Sequence, residues 1–475
     1  MATETYLNST LAYCPSCQRT ELARIVVRET QVFMERVCPV QGTQRLKIVE
    51  DYHWYVEKMA APQVIASPTI RQPVVRGCPH DCGLCEFHTA KIHLPVLSIT
   101  NDCNLHCPIC FTYNRPDQKY YKSAADMQTI VNHIVAQTGG VELINITGGE
   151  PTLHPHLFDL LAICQHPKIG RITMNTNGLK IAQDLEFAKK IKAAGVQLVL
   201  SLDTLDPHHS KLIHGKDLVA KKLRVLQILE ELQIPTTLLS VCIKDVNEEE
   251  VADLVHTYLK KDFVCSITIQ NMTFTGQQGS QFKPRAHITI DEVEQLLARR
   301  GEMSQADFFP LGSYHPLCYS VAYYIVQENK ILSLTRLIDK AILTAASQNS
   351  YLLNTNQDFS AQFQQGINRL WAAGEDEGTI KRLKELLQKL YPKDRNLTAL
   401  ERLKIAEKRV KMVYIHPHMD DDNFDIDRVS RCGDVVPDES GRMVPACAYN
   451  LLHRKQDTRF WVEPPSPLNR RTTQI

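Results

Sequence analysis

Ser98-Ile99-Thr100-Asn101-Asp102-Cys103-Asn104-Leu105-His106-Cys107-Pro108-Ile109-Cys110-Phe111 ends a short apolar run and holds three cysteines at C-x3-C-x2-C. Three thiolates are one short of a closed four-cysteine site. A cubane iron–sulfur cluster held by three cysteines keeps one iron open for a chelating ligand. A zinc knuckle is the structural alternative, but zinc sites commonly pair two C-x2-C units. The spacing therefore favours a cluster with a vacant iron.

Working outward, the chain has 475 residues and 15 cysteines. Cys164, Cys242 and Cys265 stand alone in apolar stretches and read as small core residues. The other cysteines fall into four groups of three. Cys14 and Cys17 are answered by Cys38 in Val37-Cys38-Pro39-Val40-Gln41-Gly42, half of a rubredoxin-like or zinc-ribbon-like unit. Mononuclear iron and zinc are equal readings of that site. Arg76-Gly77-Cys78-Pro79-His80-Asp81-Cys82-Gly83-Leu84-Cys85-Glu86-Phe87-His88 repeats C-x3-C-x2-C. It reads as an auxiliary [4Fe–4S] site, with zinc as the alternative. Its fourth ligand is a remote cysteine, His80 or His88. Cys318, Cys432 and Cys447 are the last group, far apart in sequence.

Composition bounds the partners. The chain exceeds the size at which single cores stop growing, so two or three domains are expected. It is 43% hydrophobic and 23% charged, with a net charge of +1, which gives no reason to expect nucleic acid. The opening Met1-Ala2-Thr3-Glu4-Thr5-Tyr6 lacks the basic and apolar regions of a signal peptide. No run approaches the roughly 20 apolar residues of a membrane span. A cytoplasmic location is expected, with peripheral membrane contact left open and the cysteines as thiols or metal ligands.

Residues 94–272 alternate β-rich runs with amphipathic segments. Expected strands are Leu94–Thr100, Val141–Thr147, Arg171–Thr176, Gln197–Asp203, Thr236–Ile243 and Ser266–Asn271. Helical patterns lie between them at Ala124–Gln137, Asp184–Ala194, Leu218–Leu232 and Glu248–Leu259. Six such units predict an α/β fold, a partial (β/α)6 barrel whose polar motifs follow the strand C-termini. The expected division is a metal-binding unit at 1–60, a linker with the second cysteine group at 61–92, the barrel at 93–290 and a mostly helical region at 291–475. Helices are expected there at Asp291–Arg300, Ala361–Ala373, Gly378–Leu390 and Leu397–Val413. The tail Glu463-Pro464-Pro465-Ser466-Pro467 with Arg470-Arg471 reads as disordered.

Gly148-Gly149-Glu150-Pro151 follows the second strand. With the three-cysteine motif and its trailing aromatic, it resembles the radical S-adenosylmethionine (SAM) superfamily. The resemblance implies a [4Fe–4S] cluster at Cys103, Cys107 and Cys110, with SAM on its open iron. Reductive cleavage of SAM would yield a 5′-deoxyadenosyl radical that abstracts hydrogen from an inert C–H bond. Gly148 and Gly149 would let the backbone approach the methionine, and Glu150 would accept a hydrogen bond from its ammonium. Asn175, Asn177, Ser201 and Asp203 are placed for the ribose and carboxylate, with turn-forming polar residues as the plain alternative.

The whole chain is similar to the family of tetraether synthases and 7,8-dihydro-6-hydroxymethylpterin methyltransferases. The matching segments include C-P-x-D-C-G-x-C-x-x-H, Phe308-Phe309-Pro310, His315-Pro316-Leu317-Cys318, Asp425 through Cys432 and Gly441 through Asn450. Gln41 stands where that family pattern has histidine. Pro310 runs directly to His315, where relatives carry a longer insertion. Cys432 and Cys447 flank a hairpin-like turn, Pro437-Asp438-Glu439-Ser440-Gly441. With Cys318 they are expected to converge on a further cluster, giving one or two auxiliary [4Fe–4S] clusters in all.

The function implied first is C–C bond formation at an unactivated carbon, coupling lipid alkyl chains. The alternative is radical C-methylation of a pterin or related heterocycle. A non-catalytic iron–sulfur electron-transfer or scaffold protein is the third reading, and it leaves the open-iron triad unexplained. Expected partners are a small-molecule or lipid substrate and an electron donor such as ferredoxin or flavodoxin.

Overall fold

A computed structural model describes residues 4–460 except 15, 63–71, 115–116, 277, 313, 328–329, 349 and 351–356. Part of the expected linker (Pro68), Pro15 and the tail from Trp461 onward, including Glu463–Pro467, lie outside the described residues.

The N-terminal unit is an antiparallel meander of β1 (Glu4–Cys14), β2 (Arg19–Arg28), β3 (Gln31–Cys38) and β4 (Gly42–Val49). Cys14 pairs with Arg19 and Cys38 with Gly42, so two hairpin tips carry the first cysteine group. A short helix, Tyr52–Met59, follows.

The core is a parallel sheet in sequence order: β5 (Leu94–Ser98), β6 (Ile144–Thr147), β7 (Ile172–Thr176), β8 (Gln197–Ser201), β9 (Thr236–Cys242) and β10 (Val264–Asn271). All six match expected strands. The helices between them show why the pattern was readable. Ala124–Thr138 starts at Ser123, whose hydroxyl accepts from Asp126 N, and stops at Gly139 with φ +76°. It buries Met127, Ile130, Val131 and Ile134, one stripe at helical spacing.

An open partial barrel leaves two strand edges with unpaired backbone groups, which need cover. Here the C-terminal region supplies it. β14 (Val410–Ile415) adds parallel to β10, and β15 (Asp434–Pro437) adds parallel to β5. Beyond β14 lie β12 (Ser320–Gln327), flanked by β11 (Phe309–Pro310) and β13 (Lys330–Ser333). β16 (Met443–Pro445) closes a hairpin with β15, as the turn at Pro437–Gly441 implied. The sheet therefore crosses the expected boundary at residue 290. The region has the expected helices, such as Gln357–Ala372 and Glu377–Leu390, but also these strands. The expected helix Leu397–Val413 is one only over Ala399–Ala406, because the β-rich run that follows pairs with β10. No helix among the described residues is long and apolar enough to cross a membrane.

A buried ion pair docks the N-terminal unit. Lys58 and Glu294, almost without exposed surface, meet at 3.2 Å. Lys58 Nζ also donates to Phe308 O at 2.7 Å, and Trp54 Nε1 donates to Glu294 Oε2 at 2.6 Å. Removing one partner of such a pair strands a buried charge, whereas replacing both does not. Lys58→Met should cost about 3–5 kcal/mol in denaturant unfolding, and adding Glu294→Gln, which removes the stranded charge and keeps an acceptor for Trp54, should recover part of that loss.

Candidate active site

The first-quoted cysteines lie on the loop after β5, at the C-terminal mouth of the barrel. Cys103, Cys107 and Cys110 line one cleft together with Gly148, Gly149, Glu150, Asn175, Asn177, Ser201 and Asp203. Every residue expected around the SAM site is thus brought to one place. Leu105 N donates to Cys103 Sγ at 3.4 Å, and Cys110 Sγ lies 3.1 Å from Thr112 Oγ1. Burial pushes the Cys103 thiol up to about 12 and Cys107 higher still. Thiolates here therefore call for the positive charge of a metal centre. These sulfurs are not among the described groups whose ligand atoms all lie within 4.8 Å of one another. A single ion needs that closeness; a cubane, with one iron per thiolate, holds its ligands farther apart.

The two glycines act first on the protein itself. A Cβ on Gly148 would sit 2.3 Å from Thr100 O, and one on Gly149 would sit 2.2 Å from Asp102 O. Gly149 N and Glu150 N donate to those same carbonyls at 2.8 and 2.7 Å. The turn after β6 is thereby zipped to the cysteine loop, a closeness only glycine permits.

Glu150 is buried, and its carboxylate is already well supplied. Oε1 accepts from Thr152 N, Thr152 Oγ1 and Thr176 Oγ1; among the described residues Oε2 accepts only from Asn177 N, at 2.7 Å. Oε2 is the oxygen with capacity left for a ligand in the cleft. Asn177 Nδ2 donates to Asn104 Oδ1 in the cysteine loop, while Asn175 Oδ1 accepts from Asn145. Ser201 Oγ donates to Thr176 O, and Asp203 Oδ1 accepts from Val241 N at 2.7 Å.

Two residues of the cleft escaped the sequence reading. Lys222 is buried and donates to Asn177 O and Ser201 O at 2.9 and 2.6 Å. Burial lowers its pKa, opposed by Asp203, Cys107 and Glu150. His214 lies 3.8 Å from Cys107 Sγ and 3.6 Å from Asp203 Oδ2. A lysine on the apolar face shared with Leu218, Val225, Leu226 and Leu229 was the available signal.

Cys14, Cys17 and Cys38 bring their sulfurs within 4.8 Å, the size of a single tetrahedral ion site. Val40 N and Gln41 N both donate to Cys38 Sγ at 3.4 Å. Cys78 Sγ is 4.0 Å from Cys82 Sγ. That loop is held by Asp81, which accepts from Val75 N and Gly77 N, and by Arg442, which donates to Cys82 O. His88 is buried, and its Nε2 has no hydrogen-bond partner among the described residues, while the ring also engages the backbone of Ala90. His80 packs edge-on against Tyr13.

Cys318 and Cys447 sit beside buried Arg428, and Cys432, whose Sγ donates to Asp434 O at 3.2 Å, lies near both thiols. Arg428 Nε donates to Cys318 Sγ at 3.3 Å. Burial works against its charge, yet Cys318 and Cys447 offset this and its pKa is raised. Met419 N donates to Cys447 Sγ at 3.4 Å, and His418 Nδ1 lies 3.7 Å from the same sulfur. Burial pushes all three thiols up, Cys447 to about 12. A buried guanidinium beside thiols suits an anionic cluster.

The glycine zipper is testable. Gly149→Ala should displace the Asp102 carbonyl and with it the cysteine loop. Iron in the anaerobically reconstituted protein should fall by about four atoms per chain, with the 15-cysteine count unchanged.

Residues 97–258 match the Radical SAM superfamily. Over 94% of this chain and 94% of the relative, the sequence is 25% identical to a 7,8-dihydro-6-hydroxymethylpterin dimethyltransferase from Methanocaldococcus jannaschii. A probable GTP 3′,8-cyclase from Pyrococcus horikoshii is 29% identical over 34% of this chain, which spans 50% of that relative. The crystal structure of Streptococcus suis SuiB superposes with a TM-score of 0.37 at 22% identity, over 48% of this chain and 51% of that one. Residues 97–258 are a radical SAM domain, and the chain is an enzyme built on it.

Proposed function

We propose that this enzyme C-methylates a polar nitrogen heterocycle of the pterin class rather than coupling lipid alkyl chains. The observation that carries this reading is the lining of the barrel lumen. The cleft at the mouth continues inward, sharing Phe111, Thr112, Asn175 and Gln270 with a second cavity. That cavity sets a line of amides and hydroxyls among apolar walls that include Leu94, Val96, Leu143, Val199 and Leu239. Asn145 donates to Thr173 and Asn175, and Gln270 Nε2 lies 3.3 Å from His418 Nε2. Below, Arg171, Gln197, Thr237 and Ser266 form a hydrogen-bonded row. A flat heterocycle packs on the apolar walls and adds hydrogen bonds to the remaining donor and acceptor capacity of these groups, which an alkyl chain leaves unused. The similarity to a relative named for pterin methylation along nearly the whole chain supports the same substrate class.

The [4Fe–4S] cluster and SAM supply hydrogen-atom abstraction at an inert C–H bond when bound. In this reading Cys103, Cys107 and Cys110 hold that cluster. Glu150 Oε2 receives the ammonium of SAM, and Asn177, Ser201 and Asp203 shape the pocket for the rest of it. Lys222 fixes the carbonyl ends of β7 and β8 beneath it. Cys78, Cys82 and Cys85 hold an auxiliary cluster, with the open nitrogen of His88 as its fourth ligand. Cys318, Cys432 and Cys447 hold a further cluster, and Cys14, Cys17 and Cys38 a mononuclear iron or zinc. A ferredoxin or flavodoxin serves as electron donor, and the setting is cytoplasmic.

Isotope transfer tests the substrate class. Reduced enzyme with SAM is given either deuterated 7,8-dihydro-6-hydroxymethylpterin or perdeuterated archaeal-type lipid. Deuterium should appear in 5′-deoxyadenosine from the pterin alone. Transfer from the lipid alone would overturn the proposal.

A further inference from the structure

We infer that Asn450 and Arg454 read the hydrogen-bonding edge of the flat heterocycle in the barrel lumen, an assignment that rests on the substrate class proposed above. Both side chains line the inner cavity, and both are about 4% exposed. Asn450 Oδ1 and Arg454 Nε are buried with no hydrogen-bond partner among the described residues. Buried polar groups are nearly always paired, so two such groups on residues that line one cavity are ones a bound polar edge would satisfy. One is an acceptor and the other a donor. Together they match an edge that presents an N–H beside a C=O or ring nitrogen, the edge of a cyclic amide or amino-oxo pyrimidine.

The backbone positions them deliberately. Tyr449–His453 is a π-helical turn directly after Cys447. Such turns re-aim side chains and recur at functional sites. Arg454 begins the next turn, its guanidinium lying 5.1 Å from the Tyr449 ring centre and 5.9 Å from that of Phe460. Those contacts fix the guanidinium plane without using its N–H groups.

The rest of the cavity suits a planar ring. Tyr319 stacks on His416 at 3.7 Å, and His416 and His418 are 4.4 Å apart. Phe111 stacks on His418 at 5.9 Å. Phe111 directly follows Cys110, so this aromatic wall leads from the inner cavity to the cluster cleft. A heterocycle held by its edge at Asn450 and Arg454 would lie along that wall with its far end toward the cleft.

The test uses the iron-loaded full chain and two probes, 7,8-dihydro-6-hydroxymethylpterin and unsubstituted pteridine, which lacks the amino-oxo edge. Binding is measured by titration calorimetry for wild type, Asn450→Leu, Arg454→Met and Arg454→Lys. The dihydropterin should lose at least about tenfold in affinity in Asn450→Leu and Arg454→Met, while pteridine binding moves little. Arg454→Lys should recover part of the loss. Iron content and thermal midpoint, measured alongside, should stay at wild-type values. Equal dihydropterin affinity in wild type and variants would overturn this assignment alone. Equal losses for both probes would reduce the two residues to packing roles and overturn it as well. No dihydropterin binding by wild type would overturn the substrate class itself and this inference with it.

Discussion

The contact on which the site depends is a backbone one. The turn after β6 presses two glycines against the carbonyls of Thr100 and Asp102, with Gly149 N and Glu150 N donating to them. Side chains of any size would hold these segments apart. The zipper sets the cysteine loop at the strand ends, and Glu150 extends it through Thr176 and Asn177 to β7. From there Lys222 reaches the carbonyl end of β8. One glycine pair thus registers three strand termini around a common cleft.

Buried charge is the second theme. Lys222 and Arg428 are cations with little or no access to water, and each sits beside thiols. Isolated buried charge is costly, so such residues persist where something anionic offsets them. Thiolates on an iron–sulfur cluster would be that offset, and the cations would stabilise the added electron of a reduced cluster. Lys58 with Glu294 shows the same economy in a place with no chemistry, holding the N-terminal unit to the core.

The C-terminal region is the part of the chain that makes the barrel a chamber. It pairs with both free edges, through β14 on one side and β15 on the other. The same segments carry Cys318, Cys432 and Cys447, the imidazoles of His416 and His418, and the orphaned groups of Asn450 and Arg454. Closing the sheet and furnishing its lumen are one act of folding.

The amino-acid sequence by itself determined the local and periodic features. The six parallel strands, their helices, the cysteine spacing and the Gly148-Gly149-Glu150 turn were legible because each is written within a few neighbouring residues. Even Cys432 and Cys447 were joined by a readable hairpin turn. Only the tertiary structure decided what depends on distant segments meeting. The first residues of the strand Val410–Ile415 were read as the end of a helix because nothing local announces an edge of β10 waiting to be covered. Lys222 stands on the apolar face of its helix, but only the docking of that helix under the cleft shows what it reaches. Asn450 and Arg454 carried no motif of their own for ligand binding. Their meaning comes from being buried in a cavity wall without partners among the described residues, and burial is a property of the assembled fold rather than of the residues that will occupy it.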